Sequence, residues 1–119
     1  MNLTKKRKLG KSQIEETKKK GDFYQATPFS LRYRRVNPEK PSSFAFVISK
    51  KVSKQATVRN RTRRLFSGSV RELLDNCQPG YEVIFFVKGQ ALNLNKEEIF
   101  TEVEKALTSI GLLEKWSNR

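Results

Sequence analysis

The side chains best placed to do chemistry form a cluster in the segment VRNRTRRLF, residues 58–66. Five of its positions carry guanidinium or amide groups: Arg59, Asn60, Arg61, Arg63 and Arg64. A guanidinium donates paired hydrogen bonds to phosphate oxygens and also stacks on bases. No acidic residue lies between Glu39 and Glu72, so these arginines have no ion-pair partner nearby in the chain. The cluster predicts a surface that binds a polyanion, and the alternative is a solvated helix face.

Three lysines precede the cluster and extend its positive charge. Lys50, Lys51 and Lys54 follow an apolar segment and lie just ahead of the arginine-bearing helix. Backbone N–H groups at a helix N-terminus add donors for phosphate, so lysines in this position favour an anion site. Further along, Arg64 and Arg71 are spaced to lie on one helix face. The alternative for the lysines is a solvated turn.

The segment at 29–36 alternates between basic and apolar side chains. Arg32 and Arg34 are predicted to lie on one face of a strand, and Phe29, Leu31 and Tyr33 on the other. An exposed aromatic on a sheet can stack an unpaired base, which is worth about 1–3 kcal/mol. Phe29 and Leu31 are better explained as core residues, whereas both interpretations stay open for Tyr33.

The sequence lacks the groups that usually catalyse bond cleavage. It has no histidine, the commonest general base and zinc ligand. The glutamate pairs at 15–16 and 97–98 are adjacent, so on helices their side chains diverge. The single Cys77 has no disulfide partner and fits a small buried side chain better than a nucleophile. We expect no catalytic residue, no metal site, no protein-bound cofactor and no small-molecule substrate.

The charge is distributed unevenly along the 119 residues. Residues 1–71 carry 20 basic and 4 acidic side chains and residues 72–119 carry 5 and 8, for a net charge of +13. This asymmetry favours nucleic acid over an anionic membrane or an acidic protein as the partner. No apolar run approaches the ~20 residues of a membrane span, and the N-terminus lacks the apolar region of a signal peptide. We predict one cytoplasmic domain over 1–119, with a mobile basic arm at 1–11 and a tail at 113–119.

The apolar pattern predicts the element order α-β-β-β-α-β-α. Ser12 is expected to cap the first helix, and Gly21 to end it. Strands 29–36 and 43–49 are expected to pair as an antiparallel hairpin, with 44–49 buried on both faces. The predicted helices are 12–20, 57–76 and 95–112, and the predicted strands are 22–27, 29–36, 44–49 and 81–88.

The second predicted helix has an apolar face and a basic face. Its apolar residues recur at about 100° per residue and are Val58, Leu65, Phe66, Val70, Leu73 and Cys77. Asn60, Arg64, Ser67 and Arg71 are predicted to project from the opposite side. The arginines should therefore belong to an ordered, packed helix.

The segment FAFVISKKVSKQATVRNRTRRLF, residues 44–66, resembles the signature of the bacterial ribonuclease P protein component. In it a strand ends in Ser-Lys-Lys, and a short polar loop leads to the Arg-Asn-Arg helix. The resemblance implies an α/β sandwich like domain 2 of ribosomal protein S5, with a left-handed β-α-β crossover against the usual right-handed rule. It also implies an RNA-binding subunit that assists a catalytic RNA in removing the 5′ leader from precursor tRNA, with magnesium at the RNA active site.

The resemblance further implies roles for individual residues. The basic helix and the lysines before it would contact the catalytic RNA, and a cleft beside the sheet would hold the single-stranded leader. The resemblance carries over Arg59, Asn60, Arg61, Arg63, Arg64, Lys50 and Lys51 to the catalytic-RNA set, and the charge pattern adds Arg71 and Lys54. It carries over Tyr33, with Ile14 and Lys18, to the leader-cleft set, and the charge pattern adds Arg32 and Arg34. Ile14 and Lys18 stand where the family usually has two phenylalanines, and Ser67 stands where it usually has an arginine.

Two other function classes share part of this pattern. A small ribosomal or RNA-chaperone protein would have the same basic surface and no catalytic residues. A protein nuclease acting alone is less compatible, because the sequence lacks histidine and a carboxylate cluster.

Overall fold

A four-stranded sheet in the order β1-β2-β4-β3 carries three helices in the computed structural model, which describes residues 7–113. The elements are α1 Lys11–Lys20, β1 Asp22–Gln25, β2 Phe29–Arg35, β3 Ser43–Val47, α2 Ala56–Leu73, β4 Tyr81–Val87 and α3 Lys96–Ser109. Short 3₁₀ helices at Leu74–Asn76 and Gly89–Asn93 follow α2 and β4. The predicted element order and the mixed α+β class are confirmed.

The strand pairing differs from the prediction in one respect. β2 pairs antiparallel with both β1 and β4, whereas β3 pairs with β4 in parallel. The predicted hairpin between 29–36 and 43–49 is therefore wrong, because β4 lies between these strands. The expected two-sided burial of 44–49 is also wrong, because β3 lies at the sheet edge and four of its five residues, all except Phe44, are only half-buried.

Hydrogen bonds of the segment between β2 and β3 explain this order. The Val36 N–H donates to the Gly80 oxygen at 2.7 Å, and the Ser42 hydroxyl donates to the Gln78 oxygen at 2.6 Å. The Tyr81 N–H in turn donates to Ser42 Oγ. The segment thus bonds to the residues that enter β4, and β4 takes the central position. The helix α2 connects the parallel strands β3 and β4, and the handedness of this crossover stays a prediction.

The main core lies between the sheet and helices α2 and α3. Because alternate residues of a strand point to opposite faces, β2 directs Phe29 and Leu31 into this core. The Phe29 ring packs edge-on against Phe66 of α2 at 5.6 Å and lies 5.2 Å from Phe85 of β4. Burial of these aromatic rings fixes how α2 lies on the sheet.

Helix α1 lies on the other face of the sheet, against β2 and β4. The predicted cap at Ser12 is wrong: Gly10 precedes the first turn, and its N–H donates to Gln13 Oε1 at 2.8 Å. The predicted end at Gly21 is confirmed. A Cβ at Gly21 would lie 2.5 Å from the Thr17 oxygen, so glycine lets the chain turn directly from α1 into β1.

The Glu82 carboxylate attaches α1 to the sheet. Gln13 Nε2 donates to Glu82 Oε2 at 3.0 Å, and Thr17 Oγ1 donates to Oε1 at 2.9 Å. The neighbouring strand contributes Arg34, whose Nε and Nη2 donate to the same oxygen at 3.2 and 3.1 Å. Glu16 of α1 lies 3.9 Å from the Arg34 guanidinium. A buried carboxylate with this many donors is held in one position.

Both ends of the described chain pack against the rest of the fold. In the arm at 1–11, Lys8 pairs with Phe44 at the outer edge of β3, and the Leu9 N–H donates to the Phe44 oxygen at 3.1 Å. Leu9 is buried, and whether the arm is mobile stays a prediction. Leu113 of the predicted tail is buried and pairs with Cys77. The rest of the two predicted segments, residues 1–6 and 114–119, lies outside the described residues.

Substitution of Glu82 should loosen α1. We expect Glu82→Gln to lower the free energy of unfolding by about 1–3 kcal/mol, because the hydrogen bonds from Gln13 and Thr17 are no longer made to a charged group and Arg34 loses its ion pair with residue 82. Urea denaturation followed by circular dichroism measures this. Glu15→Gln, which removes an exposed carboxylate from the same helix, is the control and should change stability by less than about 0.5 kcal/mol. Equal effects of the two substitutions would contradict the role given to Glu82.

Candidate nucleic-acid interface

Burial of one side of α2 determines which of its side chains reach solvent. Phe66, Val70 and Leu73 are buried against the core, as the predicted apolar face requires. The other members of that face, Val58, Leu65 and Cys77, are half-buried. Residues on the opposite side are exposed, as predicted for Asn60, Arg64 and Arg71, and Arg61 is also exposed. The packed helix therefore presents its cations in a fixed arrangement.

Ser67 does not lie where the sequence predicted. Its side chain is buried, together with Thr62 and Ser69 of the same helix. Ser67 faces β3 and the N-terminal arm, where it lines a small cavity of about 250 Å³ with Phe44 and Leu9. The prediction of an exposed Ser67 is wrong because the sequence pattern could not show that the arm covers this side of α2.

The arginines at the start of α2 are organised by hydrogen bonds rather than neutralised. Arg59 Nη1 donates to the Ser53 oxygen at 2.8 Å, and Arg63 Nη1 donates to Asn60 Oδ1 at 2.9 Å. Within residues 7–113, the ion pairs with carboxylates involve Lys20 and Arg34, and none involves the arginines at 59, 61, 63 or 64. Their positive charge is therefore not balanced by the described part of the protein.

The predicted lysines lie at the N-terminal end of the same helix. Lys50, Lys51 and Lys54 are exposed in the segment between β3 and α2. The Val52 N–H donates to the Ser49 oxygen at 3.0 Å, which closes a turn that contains the first two lysines. We use the term basic surface for these three lysines with Arg59, Asn60, Arg61, Arg63, Arg64 and Arg71.

A concave region of about 510 Å³ continues the basic surface toward α3. Arg61, Arg64 and Arg71 line it from α2, and Lys96 at the first turn of α3 lines it from the other side. The sequence did not suggest Lys96, because it lies 25 positions after Arg71 and only the packing of α2 against α3 brings them together.

The predicted leader-cleft residues lie on two different faces of the sheet. Arg32 and Arg34 lie on the α1 side with Ile14 and Lys18. Tyr33 lies on the core side with Leu31, where it packs at the margin of the core. Burial raises the pKa of the Tyr33 hydroxyl, with smaller contributions from Asp22 and Tyr81. The structure thus does not bring Tyr33 together with the other four.

The cations on the α1 side have different roles. Arg34 is only 22% exposed and is bound to Glu82. Arg32 Nη1 donates to the Gly21 oxygen at 3.0 Å, and its guanidinium lies 5.5 Å from the centre of the Phe23 ring. Arg32 is half-buried and takes part in none of the ion pairs with carboxylates within residues 7–113.

Lys18 makes a second cation–aromatic contact on the α1 side of the sheet. Its Nζ lies 6.0 Å from the centre of the Phe86 ring. The sequence did not single out Phe86 or Phe23, because apolar residues in predicted strands are most simply explained as core. Alternation along β4 distinguishes Phe86 from its buried neighbour Phe85, but only once the buried face is known.

Cys77 is a structural residue. Its Sγ donates to the Leu73 oxygen at 3.3 Å, and burial raises the pKa of the thiol to about 12 despite the opposing effect of Arg7. No group of three or more His, Cys, Asp or Glu side chains within residues 7–113 could hold a metal ion. In the same part of the chain, no helix is both long and apolar enough to cross a bilayer.

The chain is similar to one family of proteins in sequence and in structure. A family model described as ribonuclease P matches residues 3–111. The ribonuclease P protein component of Rippkaea orientalis is 33% identical over 106 residues, which cover 85% of this chain and 83% of the relative. That of Microcystis aeruginosa is 31% identical over 117 residues, covering 88% of this chain and 98% of the relative.

Solved structures extend the similarity to the fold. The Staphylococcus aureus RNase P protein has a TM-score of 0.80 at 17% identity, covering 93% of this chain and all 100% of that one. The Thermotoga maritima RNase P protein has a TM-score of 0.66 at 18% identity, with 92% and 94% covered. At these identities the likeness establishes the shared α+β fold.

The raised pKa of Cys77 predicts slow alkylation of the folded protein. At pH 8 a thiol of pKa about 12 is ionised to roughly 1 part in 10⁴, about 1,000-fold less than one with a pKa of 9. Labelling by iodoacetamide should therefore be slow in buffer and should speed up tenfold per pH unit. The same chain in guanidinium chloride is the control and should label quickly. Fast labelling of the native protein would contradict a raised pKa of this thiol.

Proposed function

The chain belongs to the ribonuclease P protein family, and we propose that it binds the catalytic RNA of that enzyme and its precursor tRNA. It is the protein subunit of an endoribonuclease that removes the 5′ leader from precursor tRNA, and catalysis is assigned to the RNA. A cytoplasmic location belongs to the same proposal.

One observation supports the RNA-binding role most directly. The arginines at 59, 61, 63 and 64 lie on a helix fixed by Phe66, and none of them pairs with a carboxylate within residues 7–113. Unbalanced charge on a rigid element raises the energy of the free protein, and a phosphate backbone lowers it by supplying the missing anions. Guanidinium groups also bind phosphate through two hydrogen bonds at once.

We assign the two RNA ligands to two different parts of the molecule. The basic surface would contact the catalytic RNA, and the concave region lined by Lys96 would extend that contact. The α1 side of the sheet would contact the leader through Arg32, Lys18 and Ile14. Arg34 has a mainly structural role because Glu82 occupies its guanidinium, and the position of Tyr33 on the core side argues against its use by the leader.

The protein would act through charge and position. Cations placed against both RNAs reduce phosphate repulsion, so that the complex forms with less magnesium. The described residues offer no cluster of metal ligands, so we give the protein no metal-bound step, and magnesium is expected at the RNA active site. Neither the backbone nor any side chain of the described chain is required to transfer a proton or attack the phosphodiester.

The central test is cleavage of a 5′-extended precursor tRNA by a bacterial catalytic RNA at low magnesium. We expect the protein to raise kcat/KM and to lower the magnesium concentration at which cleavage is half-maximal. The protein without RNA is the control and should cut nothing. Unchanged turnover would refute the proposal and favour a ribosomal or RNA-chaperone protein, whereas cleavage by the protein alone would favour a nuclease.

Substitution of two arginines should distinguish the surface that binds the catalytic RNA from the one that binds the leader. We expect Arg61→Ala with Arg64→Ala to weaken binding of the catalytic RNA more than binding of the leader. The log–log salt slope of catalytic-RNA binding should become shallower by about 1.4–1.8, since each of the two phosphate contacts contributes about 0.7–0.9. Filter binding at several salt concentrations measures the affinity for each RNA and the salt slope.

A matched control removes the same charge elsewhere. Lys40→Ala with Lys105→Ala also lowers the net charge by two, but both lysines are exposed outside the basic surface. This variant should keep the wild-type affinity for catalytic RNA to within a few fold. Equal losses in both double variants would mean that net charge alone drives binding and would exclude a specific surface on α2.

A further inference from the structure

We propose that the cavity between β3, α2 and the N-terminal arm is a pocket for one unpaired nucleobase of the RNA that binds the basic surface. The cavity has a volume of about 250 Å³, and we call it the edge pocket. Its lining comes from residues 8–9 of the arm, residues 44–46 of β3, and Arg63 and Ser67 of α2. The inference rests on the proposed function, because it specifies how a base of the catalytic RNA would be held.

The edge pocket exists because the arm pairs with only the first part of β3. The Leu9 N–H donates to the Phe44 oxygen, and Gly10 then begins the turn into α1. From the other side, α2 places the small side chain of Ser67 against the strand. The space past Leu9, between β3 and α2, is therefore left as a cavity by the described part of the chain.

The free edge of β3 offers hydrogen-bonding groups to this cavity. Along a strand, successive residues direct their N–H and C=O groups alternately to the two edges. The Phe44 oxygen accepts from the arm, so the N–H and C=O of Phe46, two residues on, point to the same outer edge. Within residues 7–113, no other segment forms a backbone hydrogen bond with Phe46 there. Ala45 lines the cavity although its side chain alternates to the other face, so the cavity reaches the strand backbone.

An unpaired nucleobase complements this pair of backbone groups. Each base carries a donor and an acceptor side by side on its Watson–Crick edge, which is accessible only when the base is unpaired. A residue on a strand edge presents the same combination, one N–H and one C=O, in a fixed direction. The Phe46 N–H would donate to the base, and the Phe46 oxygen would accept from it. These hydrogen bonds select an unpaired base over a paired one.

The walls of the edge pocket are apolar where the plane of a base would lie. Phe44 is buried and closes the floor, while Phe46 is half-buried. The Phe46 ring stacks on Phe85 of β4, with 5.2 Å between ring centres and 28° between the planes. One side of the Phe46 ring thus packs on the core, and the ring is held in place before a ligand arrives. A ring fixed in this way lets a base stack at a small cost in conformational entropy.

Two cations at the edge pocket favour a nucleotide over an uncharged ring. Lys8 lines the cavity from the arm and Arg63 from α2, and no carboxylate of the described residues lines it. Arg63 Nη1 donates to Asn60 Oδ1, which leaves other N–H groups of the guanidinium for a phosphate. Because Arg63 belongs to the basic surface, a base in the cavity would have its phosphate on that surface.

The short free edge argues against a peptide as the occupant. The arm occupies the outer edge at Phe44, and β3 ends at Val47. Phe46 is therefore the one remaining residue of β3 whose backbone groups point outward. An added peptide strand gains its affinity from a row of main-chain hydrogen bonds, whereas a single base needs one donor and one acceptor.

The first test titrates small ligands into the full-length protein and follows its backbone amides by NMR. We expect adenosine monophosphate to shift the Phe46 amide resonance, and ribose 5-phosphate, which lacks the base, to leave that resonance in place. Inorganic phosphate is the control for charge alone and should not shift it either. Equal shifts with all three ligands would indicate an anion site and would overturn the inference. A shift caused by a hexapeptide of alternating aspartate and valine, but not by the nucleotide, would overturn it too.

The second test uses the complex with a bacterial catalytic RNA. Ser67→Leu fills the cavity, and Phe46→Leu keeps apolar bulk but removes the ring. We expect each variant to bind the catalytic RNA about 5- to 150-fold more weakly, which is the effect of losing one stacked base. Modification of Watson–Crick edges with dimethyl sulfate or a carbodiimide, followed by selection for protein binding, should identify the base. Modification of that nucleotide should interfere with binding to wild type but not to Ser67→Leu.

A matched control and a stability measurement complete the design. Phe100→Leu makes the same chemical change on a half-buried ring of α3, outside the edge pocket, and should keep the wild-type affinity. Urea denaturation shows which variants are folded, and if Ser67→Leu is not, Phe46→Leu and the titrations decide. Wild-type affinity in the folded variants would overturn the inference. The proposed function would still hold if the wild-type protein stimulates cleavage, and it would fail separately if that protein does not.

Discussion

The Glu82 carboxylate fixes the relation between the basic surface and the α1 side of the sheet. It accepts hydrogen bonds from Gln13 and Thr17 of α1 and from Arg34 of β2, so one buried charge joins a helix to the two central strands. Such a group is costly to bury unless all its donors are present, which makes the arrangement all-or-none. Because α1 is held at the Glu82 level, the N-terminal arm that precedes it is led to the edge of β3.

Strand alternation separates positive charge from the core. Along β2, Leu31 contributes to the core between the sheet and α2, while Arg32 faces the α1 side. Helix α2 achieves the same separation with a period of 3.6, burying Phe66 and exposing Arg64. Two surfaces with unbalanced cations therefore share one small core. Under the proposed function each surface would bind its own RNA, and both would lose their geometry if the core loosened.

Features that depend on neighbouring residues in the chain were predictable. The arginine face of α2 followed from a local period of 3.6, and the strand at Tyr81–Val87 followed from a continuous apolar run. Features set by distant contacts were not. The insertion of β4 beside β2 and the burial of Ser67 under the arm depend on residues dozens of positions away. The sequence could not decide whether Tyr33 lies in the core or on an exposed face, because alternation defines two faces of a strand without showing which one is buried. The exposure of Phe23 and Phe86 could not be predicted for the same reason.

The central position of β4 has a consequence for how the chain folds as it is synthesised. β2 and β3 pair with the same strand, Tyr81–Val87, and this strand is made only after about two-thirds of the chain. Until then the sheet cannot close, and the nascent chain carries most of its positive charge without a core to hold it in place. Mutual repulsion keeps such a chain expanded, and an anion that binds only the folded form shifts the equilibrium toward it. RNA would then act as a folding ligand as well as a partner.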